Sequence, residues 1–215
     1  MMKILCLNTA FNETYVSAIN DGILAEKTMD SSLKQSENVL GAVDECLTKT
    51  NMQIKDLDVI SCVIGPGSFT GIRIGVSLVK GFCAPFPNIK KIQINSLDLL
   101  AYTYARLNKP MQEFYVVLNG LSGNIFTCKY DKNAQELIEP QLMFDDEIST
   151  LNGIIVGLKQ EEYSICNQFV DFNTNDLLEF TMQKVANCEY STDFTPLYLR
   201  KSQAEAELLK KNGNC

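Results

Sequence analysis

The pattern of apolar and polar residues at the start of the chain predicts a strand followed by a hairpin. Residues 3–8 form a short apolar run, and two further strand-like segments cover residues 14–20 and 23–28. Asp21-Gly22 joins these two segments, and an Asp-Gly pair readily supplies the two positive φ angles of a tight hairpin turn. We therefore expect a three-stranded unit at the start of the fold.

After the hairpin, the spacing of apolar residues changes to that of a helix. From about Ser32 to Thr50 the apolar residues recur on one stripe, and the charged residues fall largely elsewhere. The segments that follow alternate between strand and helix patterns. They are a buried strand at 59–64, a glycine-rich loop at 65–71, a helix at 69–83, a strand at 91–94 and a helix at 96–107.

The second half of the chain repeats the opening pattern. Residues 113–119 resemble residues 3–8, and both runs end in asparagine, at Asn8 and at Asn119 about 111 residues later. A second hairpin pattern follows, then a strand at 153–158 and a helix at 176–187. The repetition predicts a duplicated α/β domain with mixed sheets and a cleft between the halves. We place the first half at residues 1–108 and the second, more divergent half at 109–201, with a helix at 202–212 closing the first half.

The amino-acid composition excludes several kinds of catalytic and metal site. The 215 residues include no histidine, so histidine-based catalysis and histidine-ligated metals are excluded. The net charge of −7 argues against a broad basic surface for nucleic acid. No apolar run is long enough to span a membrane, and no two of the eight cysteines have C-x2-C spacing. We therefore expect a cytoplasmic protein whose cysteines are mostly buried thiols.

The stretch from Gly65 to Gly75 is the one specialised motif. A strand, a glycine loop and a helix can present backbone N–H groups to an anion, but no Gly-Lys-Ser/Thr follows as in a phosphate loop. Gly67, Gly71 and Gly75 recur every four residues and leave a groove for a second backbone. Three interpretations stay open: a tightly packed internal helix, an interface helix and a nucleotide loop.

The same motif carries a resemblance to a known family. Residues 65–82, Gly-Pro-Gly-Ser-Phe-Thr-Gly-Ile-Arg-Ile-Gly-Val-Ser-Leu-Val-Lys-Gly-Phe, resemble the signature of the TsaB (YeaZ-like) family, and residues 4–10, 95–101 and 196–200 resemble further family blocks. The signature-loop residues are Gly65, Pro66, Gly67, Ser68, Phe69, Thr70, Gly71 and Arg73. The resemblance implies an actin/Hsp70-like fold of two RNase H-like halves.

The resemblance also implies a function. TsaB-like proteins are non-catalytic partners of their paralogue TsaD, which transfers the threonylcarbamoyl group to make N6-threonylcarbamoyladenosine in tRNA, and they work with the ATPase TsaE. It implies no cofactor of the chain's own, and it leaves room for a nucleotide bound where TsaB and TsaD meet. We expect no direct contact with tRNA and no contact with a membrane.

The chain departs from the family at two strand ends. Asn8 stands where relatives usually have Asp, and residues 118–126 lack the family's Asp-Ala-Arg-Arg sequence. Acidic residues at these strand ends organise hydrated Mg²⁺ in the ATP-hydrolysing members of the superfamily. Their replacement favours a scaffold with no catalytic or metal-binding residues over an ATPase. The alternative is a small nucleotide-dependent phosphotransferase that uses the cleft.

We expect the two N-terminal helices to form the surface that binds TsaD, with homodimerisation of the free protein on the same face. The predicted interface residues are Val39, Leu40, Val43, Leu47, Gly67, Phe69, Gly71, Ile72, Gly75, Val76 and Val79.

Overall fold

The first half of the chain folds into a five-stranded mixed sheet. The computed structural model describes residues 2–30, 35–121, 123–161 and 164–199. The strands of the first sheet are β1 (Ile4–Asn8), β2 (Glu13–Asn20), β3 (Ile23–Asp30), β4 (Val59–Gly65) and β5 (Lys90–Asn95). Their order is β3-β2-β1-β4-β5. β1 pairs antiparallel with β2 and parallel with β4.

The second half folds into a sheet of the same topology. Its strands are β6 (Phe114–Leu121), β7 (Asn124–Tyr130), β8 (Glu136–Phe144), β9 (Ile154–Leu158) and β10 (Gln168–Val170). They lie in the order β8-β7-β6-β9-β10, and β6 pairs antiparallel with β7 and parallel with β9. Asn8 lies opposite Tyr15 in the first sheet, and Asn119 lies opposite Ile125 in the second. The predicted duplication of two RNase H-like halves in an actin/Hsp70-like fold is confirmed.

The helices differ between the two halves. They are α1 (Gln35–Lys49), α2 (Phe69–Cys83), α3 (Ser96–Asn108), α4 (Asp145–Ile148) and α5 (Thr174–Ala186). Between β8 and β9, the four-residue α4 takes the place that α1 has in the first half, and a 3-10 turn at Lys159–Glu161 follows β9 where α2 follows β4. β10 is missing from the sequence-based prediction because an element of three residues carries too little periodicity.

α3 and α5 join the halves. α5 follows the second sheet but packs against β1, β2, β3 and β5 of the first, and α3 contacts strands of both sheets. Small buried side chains permit the close approach of α5: Ser61 Oγ lies 2.8 Å from Thr181 Oγ1, and the Cys6 thiol donates to the same oxygen at 3.6 Å. Arg106 of α3 forms an ion pair with Asp176 of α5. The two halves therefore share one continuous core.

α1 and α2 cover the opposite face of the first sheet. α1 packs on β2 and β3, and α2 packs on β4. Alternate residues of a strand point to opposite faces, so Ser61 faces α5 while Cys62 faces α2. A Cβ atom added at Gly75 would lie 2.7 Å from Cys62 Sγ. α2 therefore approaches the sheet more closely than a helix with a side chain at position 75 allows.

Some expectations fall on residues that the structure does not describe. The predicted closing helix at 202–212 lies outside the described residues. The division of the chain into two halves at residue 108 also stays a prediction. The seven described cysteines are free thiols, and five of them are buried. Among the described residues, no helix combines the length and the apolar character that a membrane crossing requires.

We expect alanine at Gly75 and at Gly81 to change stability in opposite directions. A Cβ atom at Gly75 would lie 2.5 Å from Thr9 Oγ1, which is fixed because it donates to Gly71 O, whereas a Cβ atom at Gly81 meets nothing within 4 Å. Overpacking at Gly75→Ala costs about 1–3 kcal/mol. Gly81→Ala gains about 0.5–1 kcal/mol from helix propensity. Urea unfolding of the two variants measures both changes, and equal midpoints would contradict the close approach of α2.

Candidate functional site

The signature loop connects β4 to α2 and is shaped by two glycines with positive φ angles. Gly65 has φ 116° and Gly67 has φ 155°, and residues other than glycine rarely adopt such backbone angles. Ser68 then caps α2, since its Oγ accepts a hydrogen bond from Gly71 N at 3.2 Å. The backbone N–H of Ser68 donates to Ala10 O at 2.8 Å. The loop is thus attached to the segment between β1 and β2.

The regular glycine spacing serves this internal contact. A Cβ atom at Gly67 would collide with Ala10 O, and one at Gly71 would collide with Thr9 O. Thr9 Oγ1 also donates a hydrogen bond to Gly71 O at 2.6 Å. The second backbone that the glycine groove admits is therefore the chain's own β1–β2 connection. Of the three interpretations of this motif, the tightly packed internal helix describes the inward side of α2.

Most of the predicted interface residues are buried in the interior of the chain and are not on its surface. The structure buries eight of them in the chain's own interior: Val39, Val43, Leu47, Gly71, Ile72, Gly75, Val76 and Val79. The apolar stripe of each helix therefore packs on its own sheet, and the role of these eight residues in binding a partner stays a prediction. Of the others, Leu40 is exposed, and Gly67 and Phe69 are half-buried.

The outward faces of α1 and α2 are mostly polar and charged, but they include a few small and apolar residues. Leu40 is 49% exposed, and Gly41 follows it on α1. On α2, Ile74 and Leu78 are half-buried and Gly81 is exposed. A Cβ atom at Gly41 or at Gly81 would have nothing within 4 Å. We call these five residues the outer face. Glycine in a helix interior costs stability, and neither contact nor backbone angle requires it at these two positions.

A cavity opens between the N-terminal ends of the two helices. Its volume is 470 Å³. Gln35 at the start of α1 donates to Thr9 O at 3.1 Å and to Thr14 Oγ1 at 2.7 Å, so the start of α1 is held on the same β1–β2 segment as α2. The cavity is lined by Phe11, Asn12, Asp30, Gln35, Ser36, Ser68, Thr70 and Ile74. It therefore adjoins the outer face at Ile74.

The cleft between the halves is filled by aromatic rings close to Asn8. Phe172, from the segment between β10 and α5, packs edge-to-face on Phe11 and Tyr15 with ring centroids 5.4 and 4.8 Å apart. All three side chains are buried, each no more than 3% exposed. Asn8 is fully buried beside them, where its Oδ1 accepts from Ala10 N at 2.9 Å. A ligand at this strand end would have to displace Phe172.

At the corresponding strand end in the second half, the described residues place the carboxylate of Glu161 beside Asn119. The backbone N–H of Asn119 donates to Glu161 Oε2 at 2.9 Å, and burial raises the pKa of Glu161. Within the described ranges, no three His, Cys, Asp or Glu side chains are close enough to hold a metal ion. In the part of the chain that the structure describes, neither Asn8 nor Asn119 therefore lies beside a cluster of acidic side chains.

The segment after α5 returns to the first half and ends on α2. Leu197 N donates to Ile64 O at 2.9 Å, next to the signature loop. Tyr198 then stacks on Phe69 with ring centroids 4.9 Å apart, and its hydroxyl accepts from Arg73 Nε at 3.0 Å. Sequence reasoning assigned Arg73 to the signature loop but did not predict this stack. Only the three-dimensional return of residues 190–199 brings Tyr198 to Arg73.

Comparison with known proteins gives consistent matches. A family model described as "TsaD: tRNA N6-adenosine threonylcarbamoyltransferase" matches residues 7–164. The tRNA threonylcarbamoyladenosine biosynthesis protein TsaB of Escherichia coli is 25% identical over 132 residues, which cover 61% of this chain and 56% of that protein. TsaB of Bacillus subtilis is 34% identical over 102 residues, 46% of this chain and 44% of that protein.

A transferase and a solved structure also match. The tRNA N6-adenosine threonylcarbamoyltransferase of Kosmotoga olearia is 27% identical over 139 residues, 57% of this chain and 41% of that protein. The chain thus spans about half the length of these curated relatives. The structure of YeaZ from Pseudomonas aeruginosa is similar with a TM-score of 0.75 at 17% identity, over 93% of this chain and 100% of that one. The fold is therefore shared with YeaZ.

We expect Phe172→Ala to destabilise the protein strongly, because it removes the ring that fills the cleft. Loss of a buried phenylalanine typically costs about 3–5 kcal/mol. Phe169→Ala is the matched control, since this side chain lies three residues earlier and is 43% exposed. Urea unfolding of both variants measures the difference. Equal losses of stability in the two variants would contradict a cleft held closed by Phe172.

Proposed function

The chain belongs to the TsaD family of tRNA N6-adenosine threonylcarbamoyltransferases, in which it is TsaB/YeaZ-like, and we propose that it acts as a non-catalytic scaffold. In this role it is required for N6-threonylcarbamoyladenosine formation in tRNAs that read codons beginning with A. It forms a heterodimer with the transferase TsaD and works with the ATPase TsaE. The chain contributes a binding surface, and TsaD contributes the chemistry.

The outer face is the observation that carries this proposal. Leu40 exposes an apolar side chain, and Gly41 and Gly81 expose bare helix backbone that the fold itself does not use. Small residues on two neighbouring helices let the helices of a partner approach closely. These features favour helix packing by a partner on α1 and α2.

The closed cleft favours a scaffold over the phosphotransferase alternative. A phosphotransferase needs room for a nucleotide beside Asn8, and Phe172 fills that position against Phe11 and Tyr15. Mg²⁺ bound to phosphates prefers carboxylate ligands, and Asn8 offers an amide. Calorimetry with Mg-ATP on the isolated chain tests this alternative. Micromolar binding with turnover would favour the enzyme and contradict the scaffold.

The net charge favours an indirect role in tRNA modification. A chain with a net charge of −7 repels phosphates at long range unless basic residues are concentrated on one surface. The outward side of α1 also presents the acidic residues Glu37 and Asp44. We infer that TsaD, and not this chain, makes the main contact with the tRNA.

We expect Leu40→Asp to prevent binding to TsaD without unfolding the protein. The aspartate places a charge at the centre of the outer face, and burying it unpaired in the complex costs several kcal/mol. Met182→Asp on α5 is the matched control, since Met182 and Leu40 are both apolar, both on helices and both 49% exposed. Light scattering on a gel-filtration column, with TsaD from the same organism, measures whether a 1:1 complex forms.

A functional readout accompanies this measurement. Nucleoside mass spectrometry of tRNA from a reconstituted TsaD and TsaE system should show modified adenosine with Met182→Asp and little with Leu40→Asp. Normal complex formation by Leu40→Asp would place the partner surface elsewhere. Absence of any complex with the unaltered chain would contradict the proposed function itself.

A further inference from the structure

Arg73 is held in a fixed orientation at the edge of the outer face. Its guanidinium carbon lies 3.9 Å from the centroid of the Phe69 ring and 5.8 Å from that of Tyr198. Its Nε donates to the Tyr198 hydroxyl at 3.0 Å. Tyr198 is itself positioned because its neighbour Leu197 is hydrogen-bonded to Ile64. An exposed arginine normally samples many rotamers, and these contacts reduce that freedom.

The described contacts leave the charged end of Arg73 directed outward. They use Nε and the flat faces of the guanidinium, and no carboxylate among the described residues forms an ion pair with Arg73. Arg106 contrasts with it, since two carboxylates, those of Asp176 and Glu179, bind that side chain. The two terminal nitrogens of Arg73 form the fork that binds a planar anion such as a carboxylate through two parallel hydrogen bonds.

The charges around Arg73 specify the kind of anion. On α2, the charged residues are Arg73 and Lys80, and both are exposed and basic. A partner helix that packs there must supply acidic groups to be complementary. A nucleic-acid backbone fits less well, because the exposed acids Glu37 and Asp44 lie on the neighbouring α1 and the whole chain is negative. The site therefore suits one carboxylate on a folded partner, not a row of phosphates.

We propose that the stack of Phe69, Arg73 and Tyr198 is a preorganised docking point for a carboxylate of TsaD, at the edge of the outer face. This inference rests on the proposed function, because it takes TsaD as the protein that covers α1 and α2. Arg73 adds orientation to the apolar contact, since a two-pronged hydrogen bond fixes the direction of approach. Residues 190–199 act as a positioning segment, because they bring Tyr198 to Arg73.

The test measures the dissociation constant of the complex with TsaD from the same organism, at two salt concentrations. We expect Arg73→Met, which removes the guanidinium and keeps an unbranched apolar side chain, to weaken binding about 10- to 100-fold. The dissociation constant of Arg73→Lys should lie between those of the unaltered chain and of Arg73→Met, because an ammonium is a point charge without the fork. Tyr198→Phe, which removes only the hydroxyl that holds Nε, should weaken binding a few-fold. The affinity of Arg73→Met should also depend less on salt.

Lys90→Met is the matched control. Lys90 is also a cation stacked on an aromatic residue of the returning segment, with Nζ 4.4 Å from the Tyr190 ring centroid, but it belongs to the edge strand β5 and not to α1 or α2. Its removal should leave the dissociation constant within about threefold of the unaltered value, as expected for a charge outside an interface. If Arg73→Met fails to fold, Arg73→Lys and Tyr198→Phe decide the outcome.

The possible results separate the two proposals. If Arg73→Met binds TsaD as tightly as the unaltered chain while Leu40→Asp does not bind, the docking point is overturned and the scaffold stands. If the unaltered chain does not bind TsaD, both are overturned. If Arg73→Met leaves TsaD binding unchanged but weakens binding of tRNA to the complex, the anion is a phosphate and the carboxylate proposal is wrong.

Discussion

The contact between α2 and the β1–β2 connection is the constraint on which the rest of the structure depends. Gly67 and Gly71 pack on the carbonyl groups of Ala10 and Thr9 so closely that any side chain would collide with them. The contact fixes the depth of α2 on the sheet, and with it the positions of the signature loop and of Arg73. Gln35 binds the same segment from α1, so both helices are positioned by one short stretch of backbone. The relative position of α1 and α2, and hence the outer face, follows from it.

The second half has shorter helices than the first, so the two halves of the duplicated fold present different surfaces. Two repeats of equal sheet topology do not have equal surfaces, because α1 and α2 cover the outer side of the first sheet, whereas the described residues place only α4 and short turns at the corresponding positions of the second. A small separate cluster around Val117, Ile125 and Ile155 closes that side. Among the described residues, two long helices on the outer side of the sheet are therefore present in the first half alone. α3, which contacts strands of both sheets, and α5, which packs on the first sheet, connect the second half firmly to it.

Much of the fold was predictable from the sequence, because its signals are local. The alternation in residues 3–28, the glycine after Asp21 and the helical stripe of α1 depend on near neighbours, and the structure places strands and a helix there. The candidate site was predictable only in part. Regular spacing of Gly67, Gly71 and Gly75 indicates that something approaches closely, but the spacing is the same whether a partner or the chain's own Thr9 approaches. Likewise, an apolar stripe indicates burial and does not say against which molecule. Tyr198 reaches Arg73 from 125 residues away, and no local pattern encodes that contact.

The two kinds of glycine in α2 show how one helix meets two different requirements. Gly75 is required by the fold, since Thr9 and Cys62 occupy the space of its missing side chain, whereas Gly81 borders open space. Gly81 costs helix stability without any return inside the chain, and we propose that it serves a contact made outside it. The same reasoning applies to Gly41 and to the exposed Leu40. In the proposed function, stability and binding thus depend on opposite sides of the same helices. A substitution on the inner side must act on both properties, because it moves the helix that carries the outer face, whereas a substitution on the outer side can act on binding alone.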